Sequence, residues 1–350
     1  MKTRFRLDFV CLAAVVFFAC EAQTLPVSRR FPPRVRQVLS WLPSDTETVF
    51  AATAPFAMPA FERPIGDKPE RRRSVIETLQ LLPLSLFALK EGLLQNHLRG
   101  ERIELAIEGS RYFRPPHGLG EMPYEGCQIA VLGNVSAGRS TSLFTQLASA
   151  ALRKEDVAGK KALVFQDKLE DDVWTTFVAF PKADLVLACT NRDYLAEVLQ
   201  RIGGKAGARA LPDDLPEWTS LDASAPFWAL RHYDKSQAGR DPTSPLGVDN
   251  VNEMADKQAT GISLSVNPGK ETMAKIFYFS KMQDLLAFLE KRTPLSMKLP
   301  GMIEPSARLP IRFRQLAPGI AEIEYALGDA IPVDLFMLVV MGAFGHAVYL

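Results

Sequence analysis

Several short stretches of the chain alternate between apolar and polar positions with a period of two. Ile103, Leu105 and Ile107 alternate with Glu104, Ala106 and Glu108, and Ile262, Leu264 and Val266 alternate with Ser263 and Ser265. Ala321, Ile323, Tyr325 and Leu327 flank Glu322 and Glu324, and Ile311-Arg312-Phe313-Arg314 repeats the pattern. Successive strand residues point to opposite faces, so each stretch predicts a strand with one buried and one solvated face. Strands of this kind belong to antiparallel sheets. Continuous apolar runs at 128–132, 162–165, 173–180 and 185–189 predict more central strands.

Helical spacing appears between these runs. Leu195, Val198, Leu199 and Ile202 share one face of a helix predicted over 191–202, with Gly203-Gly204 as its stop. Met282, Leu285, Leu286 and Leu289 do the same over 281–292, where Ser280 and Gln283 form a capping-box pattern. A third helix is predicted over 141–152, and a fourth over 74–98 with Pro83 splitting it. The fold class expected is α+β: antiparallel sheets with amphipathic helices packed on one face.

The same patterns divide the chain. We read a signal segment at 1–22, a tether at 23–37, a first α+β half at 38–204 and a linker at 205–220 rich in Gly, Pro and Asp. A second half follows at 221–350, with an apolar C-terminal helix. LPSDTETVFAATAPF, from Leu42, is similar to LPEWTSLDASAPFWALRHY, from Leu215, and a strand–strand–helix block at 173–202 has a counterpart at 261–292. Two duplicated halves are therefore expected.

The N-terminus adds a compartment. Lys2, Arg4 and Arg6 precede an uncharged apolar stretch from Phe9 to Cys20, and small residues Cys20 and Ala22 stand where a peptidase would cut after Ala22. This order is that of a secretory signal, and the stretch is too short to span a bilayer. The expected location is exported: periplasmic, cell-envelope or extracellular. Lipid on Cys20 is an alternative ending of the same signal. Cleavage after Ala22 leaves two of the four cysteines, Cys127 and Cys189. An oxidising compartment permits a bridge between them, and two buried thiols fit their apolar surroundings equally well. The net charge of +1 offers no field for nucleic acid.

One glycine-rich loop carries a motif. After the apolar run Ile129–Leu132 comes GNVSAGRST, with Gly133, Gly138, Arg139 and Ser140 at the spacing G-x-x-x-x-G-K-[ST]. The stretch resembles the first motif of the P-loop GTPase and ATPase families. That resemblance implies a nucleotide cradle at Gly133–Ser140 with a mainly parallel sheet. Arginine stands where those families carry lysine, and no second motif follows at the family spacing. A glycine-rich turn in which Ser140 or Thr141 caps a helix is the preferred reading.

Catalytic and metal-binding patterns are sparse. His97, His117, His232 and His346 have no ligand-spaced partner, so no metal and no cofactor is expected. His232 and Asp234 share one strand face, which makes them the best pair for a hydrolytic site assembled from distant residues. Leu335–Leu350 is apolar and lacks basic flanks. We read it as a helix buried against the sheet, with a membrane anchor as the alternative. The expectation drawn from all of this is an exported, non-catalytic binding, assembly or envelope-structural component. Membrane association would run through Cys20 or the C-terminal apolar segment.

Overall fold

The computed structural model describes residues 30–61, 74–112, 124–133, 135–169, 172–232, 259–269, 272–292 and 311–327, with positions 340 and 344. The signal segment 1–22, with Cys20, lies outside them, as do Asp234, His117 and His346.

The alternating and continuous runs form one sheet. Its strands are β1 (Thr48–Ala52), β2 (Phe56–Ala57), β3 (Arg102–Tyr112), β4 (Tyr124–Leu132), β5 (Arg153–Val157), β6 (Lys160–Leu169) and β7 (Asp172–Lys182). They continue as β8 (Leu185–Cys189), β9 (Phe227–His232), β10 (Ala259–Asn267), β11 (Thr272–Ser280), β12 (Ile311–Ala317) and β13 (Ile320–Leu327). The 13 strands run in the order β12-β13-β11-β10-β9-β1-β3-β4-β8-β7-β6-β5, with β2 on β3. Every pairing is antiparallel. The protein is thus mixed α+β and mostly sheet. Its parts meet at the β1–β9 ladder, where Thr48 faces Arg231 and Ala52 faces Phe227.

The helices are α1 (Pro33–Leu39), α2 (Val75–Leu81), α3 (Leu89–His97), α4 (Ala137–Ala148), α5 (Arg192–Ile202) and α6 (Leu285–Arg292), with 3₁₀ segments at Leu82–Ala88 and Pro216–Ser220. They cover both sides of the sheet, not one. Val49 and Ala51 of β1 face a core shared with α1, α5 and Trp218, whereas Phe50 and Ala52 face cores shared with α2, α4 and α6. The physical reason lies in the continuous runs. β4, β6 and β8 place apolar side chains on both faces, and both must leave water.

Local chemistry sets the helix ends. Asn191 caps α5 by accepting from the backbone N–H groups of Asp193 and Tyr194. Ser74 and Glu77 form a reciprocal capping box on α2, and the helical run then tightens to 3₁₀ at the Leu82-Pro83 step. At α6, Ser280 Oγ instead accepts from Met282 N, and the helix begins only at Leu285.

Two segments read as connectors belong to the core. Phe31 and Val35 of the predicted tether are buried, and α1 starts at Pro33. The predicted linker 205–220 carries buried Ala210, Leu211 and Trp218. Trp218, Trp228 and Phe31 pack ring against ring, with centroids 5.2 to 6.0 Å apart. Gly, Pro and Asp set the backbone of this stretch, while its single tryptophan sets its place.

Candidate functional site

His232 closes β9, and its partner comes from a distant segment. Its Nδ1 lies 3.0 Å from Oε1 of Glu217, in the 3₁₀ segment Pro216–Ser220. Glu217 is fully buried, while a third of the His232 side chain is exposed. Gly261 faces His232 across the β9–β10 ladder. A Cβ at Gly261 would stand 1.8 Å from Glu217 Oε1, so the missing side chain makes room for the carboxylate. Here a carboxylate orients an imidazole, the arrangement that positions a general base. The sequence places His232 and Asp234 on one face; Asp234 lies outside the described residues, and the carboxylate at His232 Nδ1 is that of Glu217, fifteen positions upstream. Among the described residues no group of three or more histidine, cysteine or carboxylate side chains could hold a metal ion.

The glycine-rich loop is engaged elsewhere. Arg139 Nε donates to Glu101 Oε1 at 2.8 Å, and its Nη2 donates to the His97 carbonyl at 3.2 Å. The guanidinium therefore fastens α4 to the end of α3, far from a phosphate role. Ser136, not Ser140 or Thr141, caps the helix by accepting from Arg139 N, while Ser140 is buried in its first turn. The preceding strand, β4, is antiparallel to both neighbours, unlike the sheet of a P-loop protein.

Cys127 and Cys189 face each other directly across the β4–β8 ladder and are joined as a disulfide. Both are fully buried. Nearby, Arg111 holds Glu125 and Asp45 together and lies over the Tyr194 ring, 5.2 Å from its centroid. Asn191 Nδ2 donates to the same Glu125, so this network ties β3, β4 and α5 into one corner.

The helix-covered face opposite Trp228 holds an unexpected polar patch. Ser110, Thr48 and Arg231 are direct neighbours across β3, β1 and β9, and all three are buried. Two positions from Ser110, Glu108 accepts from Gln128 Nε2 at 2.8 Å. The same amide donates to Ser85 Oγ, and Gln128 Oε1 accepts from Leu86 N. Burial pushes the Glu108 carboxyl up to about 8, against the opposing pull of the Gln128 hydrogen bond. Position 344 sits over this patch. The Phe344 ring packs on Phe50 with centroids 5.4 Å apart, and its carbonyl accepts from Arg231 Nη1 at 2.6 Å. Val340 and Phe344 are helical and fully buried, so these two positions of the C-terminal apolar segment lie against the sheet. No helix among the described residues is long and apolar enough to cross a membrane. Sequence reasoning missed this patch because its residues look like solvated-face residues when each strand is read alone.

No family model matches the chain. No curated protein matches it in sequence either. Among solved structures it is similar to crystal form I of TP0453, at 9% identity and a TM-score of 0.47, over 87% of this chain and 97% of that one.

Proposed function

We propose that the protein is exported and serves as a non-catalytic binding, assembly or envelope-structural component. The observation that carries this reading is the buried Cys127–Cys189 disulfide, joined in register between two interior strands. Structural bridges of this kind persist in oxidising compartments, which agrees with the basic-then-apolar order at the N-terminus. The non-catalytic half of the reading draws support from Arg139, whose guanidinium is committed to Glu101 and the His97 carbonyl.

We further propose that the two halves are copies of one unit. Outward from the β1–β9 pair the order is β1-β3-β4-β8-β7 on one side and β9-β10-β11-β13-β12 on the other. A helix follows β4 on the first side and β11 on the second. On this scheme β10, β11 and α6 correspond to β3, β4 and α4, not to the 173–202 block that sequence similarity suggests.

The test is mass spectrometry of the protein isolated from its own host, with cell fractionation. We expect a mature chain beginning after residue 22 or at a lipid-bearing Cys20, outside the cytoplasm, with both remaining cysteines oxidised. An uncut chain in the cytoplasm with two free thiols sinks the proposal.

A further inference from the structure

β12 closes one end of the sheet and β5 closes the other, so among the described residues each has a neighbouring strand on one side only. An edge of this kind presents a row of backbone N–H and C=O groups to whatever meets it. β5 is blunted, with five residues of which four are charged. β12 is longer, with the sequence IRFRQLA and no acid, and its side chains alternate between half-buried and exposed. On one face Ile311 and Phe313 pack against the core, and Gln315 Oε1 accepts from Leu286 N of α6 at 3.2 Å. That face is therefore braced. On the other face Arg312 and Arg314 reach Glu324 and Glu322 of β13 at 3.6 and 3.5 Å, yet their side chains stay 83% and 65% exposed. Leu316 follows them and is 45% exposed, which makes β12 the holder of one of the few open large apolar side chains among the described residues.

Directly opposed residues of neighbouring strands share a face and interact, opposite charges favourably and like charges unfavourably. The β12 strand of a second copy fits this edge badly. An antiparallel β12–β12 pair centred on Phe313 sets Arg312 against Arg314, and one centred on Arg314 sets that arginine against its own counterpart. β5 of a second copy fits no better, because its alternate positions couple Arg153 with Glu155 and Lys154 with Asp156. The strand that β12 already holds shows what it accepts. In β13, Glu322 and Glu324 lie opposite Arg314 and Arg312, and Ile323 and Tyr325 lie opposite Phe313 and Ile311. A guanidinium carries five N–H donors, enough to serve a carboxylate on each side. We infer that the outer edge of β12 takes an extended acidic peptide of another protein by strand addition, with two acids at alternate positions set against Arg312 and Arg314. Backbone hydrogen bonds supply the affinity of such a complex, and the side chains supply its specificity. The same two arginines bar pairing between copies of this chain.

This inference deepens the binding reading above and rests on it. The experiment titrates the intact mature protein by calorimetry with the peptide IAEIEYAL, which copies β13. One control peptide carries lysine in both glutamate places, and a second carries methyl groups on its backbone nitrogens. The acidic peptide is expected to bind, and each control to bind at least tenfold more weakly. The double variant Arg312→Gln with Arg314→Gln changes two exposed side chains and is expected to keep its melting midpoint within a few degrees. It is expected to bind the acidic peptide roughly tenfold more weakly, the loss of two opposite-charge cross-strand pairs. Binding that is absent, matched by either control peptide, or unchanged in the double variant overturns the assignment, as does crosslinking of β12 to a second copy. Crosslinks in the host to another chain through a different face would then leave the binding reading standing; none at all would remove both.

Discussion

The two parts of the sheet solve burial differently. In β4, β6 and β8, residues of both parities are buried, and helices lie on both faces. In β10, β11 and β13 the apolar residues Ile262, Leu264, Ala274, Ile276, Ala321 and Ile323 all face one side. The other side of β11–β13–β12 carries a charge ladder. Lys275 reaches Glu322 and Glu324 at 3.6 and 3.4 Å, while Arg312 and Arg314 reach Glu324 and Glu322 at 3.6 and 3.5 Å. One region is held mainly by exclusion of water, the other by a core on one face and paired charges on the second. The difference teaches that one continuous sheet can change its solvent regime across a single ladder. The change occurs between β10 and β11, since β9 and β10 are still buried on both faces.

The sharpest way to break this comparison is at the β1–β9 seam. Trp228 of β9 belongs to the same core as Val49, Ile107 and Leu187, and packs on Phe31 and Trp218. Trp228→Ala should cost about 3–5 kcal/mol, the range for deleting a buried aromatic ring. Denaturant melts should show one cooperative transition before and after the change. Separate transitions for the two halves in the parent protein would mean that the seam does not couple them.

A second test contrasts pH responses. Folding raises the Glu108 carboxyl from 4.5 to about 8 by burial, so the folded state holds this proton more tightly than the unfolded chain. The sign follows: this group lowers stability as pH climbs from 4.5 towards 8, and has no effect below that window. Glu108→Gln keeps an oxygen for the Gln128 amide. At pH 7 it should be the more stable form by about 3 kcal/mol, an advantage that vanishes near pH 4. Equal slopes of stability against pH in the two proteins would refute the buried-acid account.

The smallest effect belongs to the ladder. Lys275 is 44% exposed, and its removal should cost about 0.5–1 kcal/mol, shrinking in high salt. A Lys275→Ala loss above about 2 kcal/mol would place the charged face among the desolvated networks, not the solvated ones.

Much of this contrast is legible in the residues themselves. The alternation of β12 and β13 announces a one-faced sheet, whereas the same pattern in β10 misleads because Ser263 and Ser265 are buried too, and the runs Ile129–Leu132 and Leu185–Cys189 announce burial on both sides. The helix after Asn191 is equally clear, because its cap and its apolar stripe agree. What could not be read is what depends on partners far along the chain. Glu217 looks like one more charge in a polar turn until β10 brings Gly261 beneath it. Ser110 and Arg231 look solvated until a second helical layer covers them. Composition misplaced the 205–220 stretch for a related reason: its turn-forming residues outnumber Trp218, yet the buried indole decides where the stretch packs. The glycine-rich loop shows the reverse case, a local pattern whose arginine is taken up by Glu101.

The central ladder also sets a timetable. Thr53 Oγ1 donates to the carbonyl of Ala225, a residue 172 positions later, at the mouth of the β1–β9 pair. A ribosome adds about 5–20 residues per second, so on the order of ten seconds or more pass before β9 is made to meet β1. Until then β1, with the sequence TVFAA and no charge, is an open edge. Uncharged edge strands are templates for mispairing. This protein therefore has a built-in waiting period. During it, the nascent chain benefits from being kept unfolded, and delivery across a membrane in an extended state would bring both strands to the same place at nearly the same time.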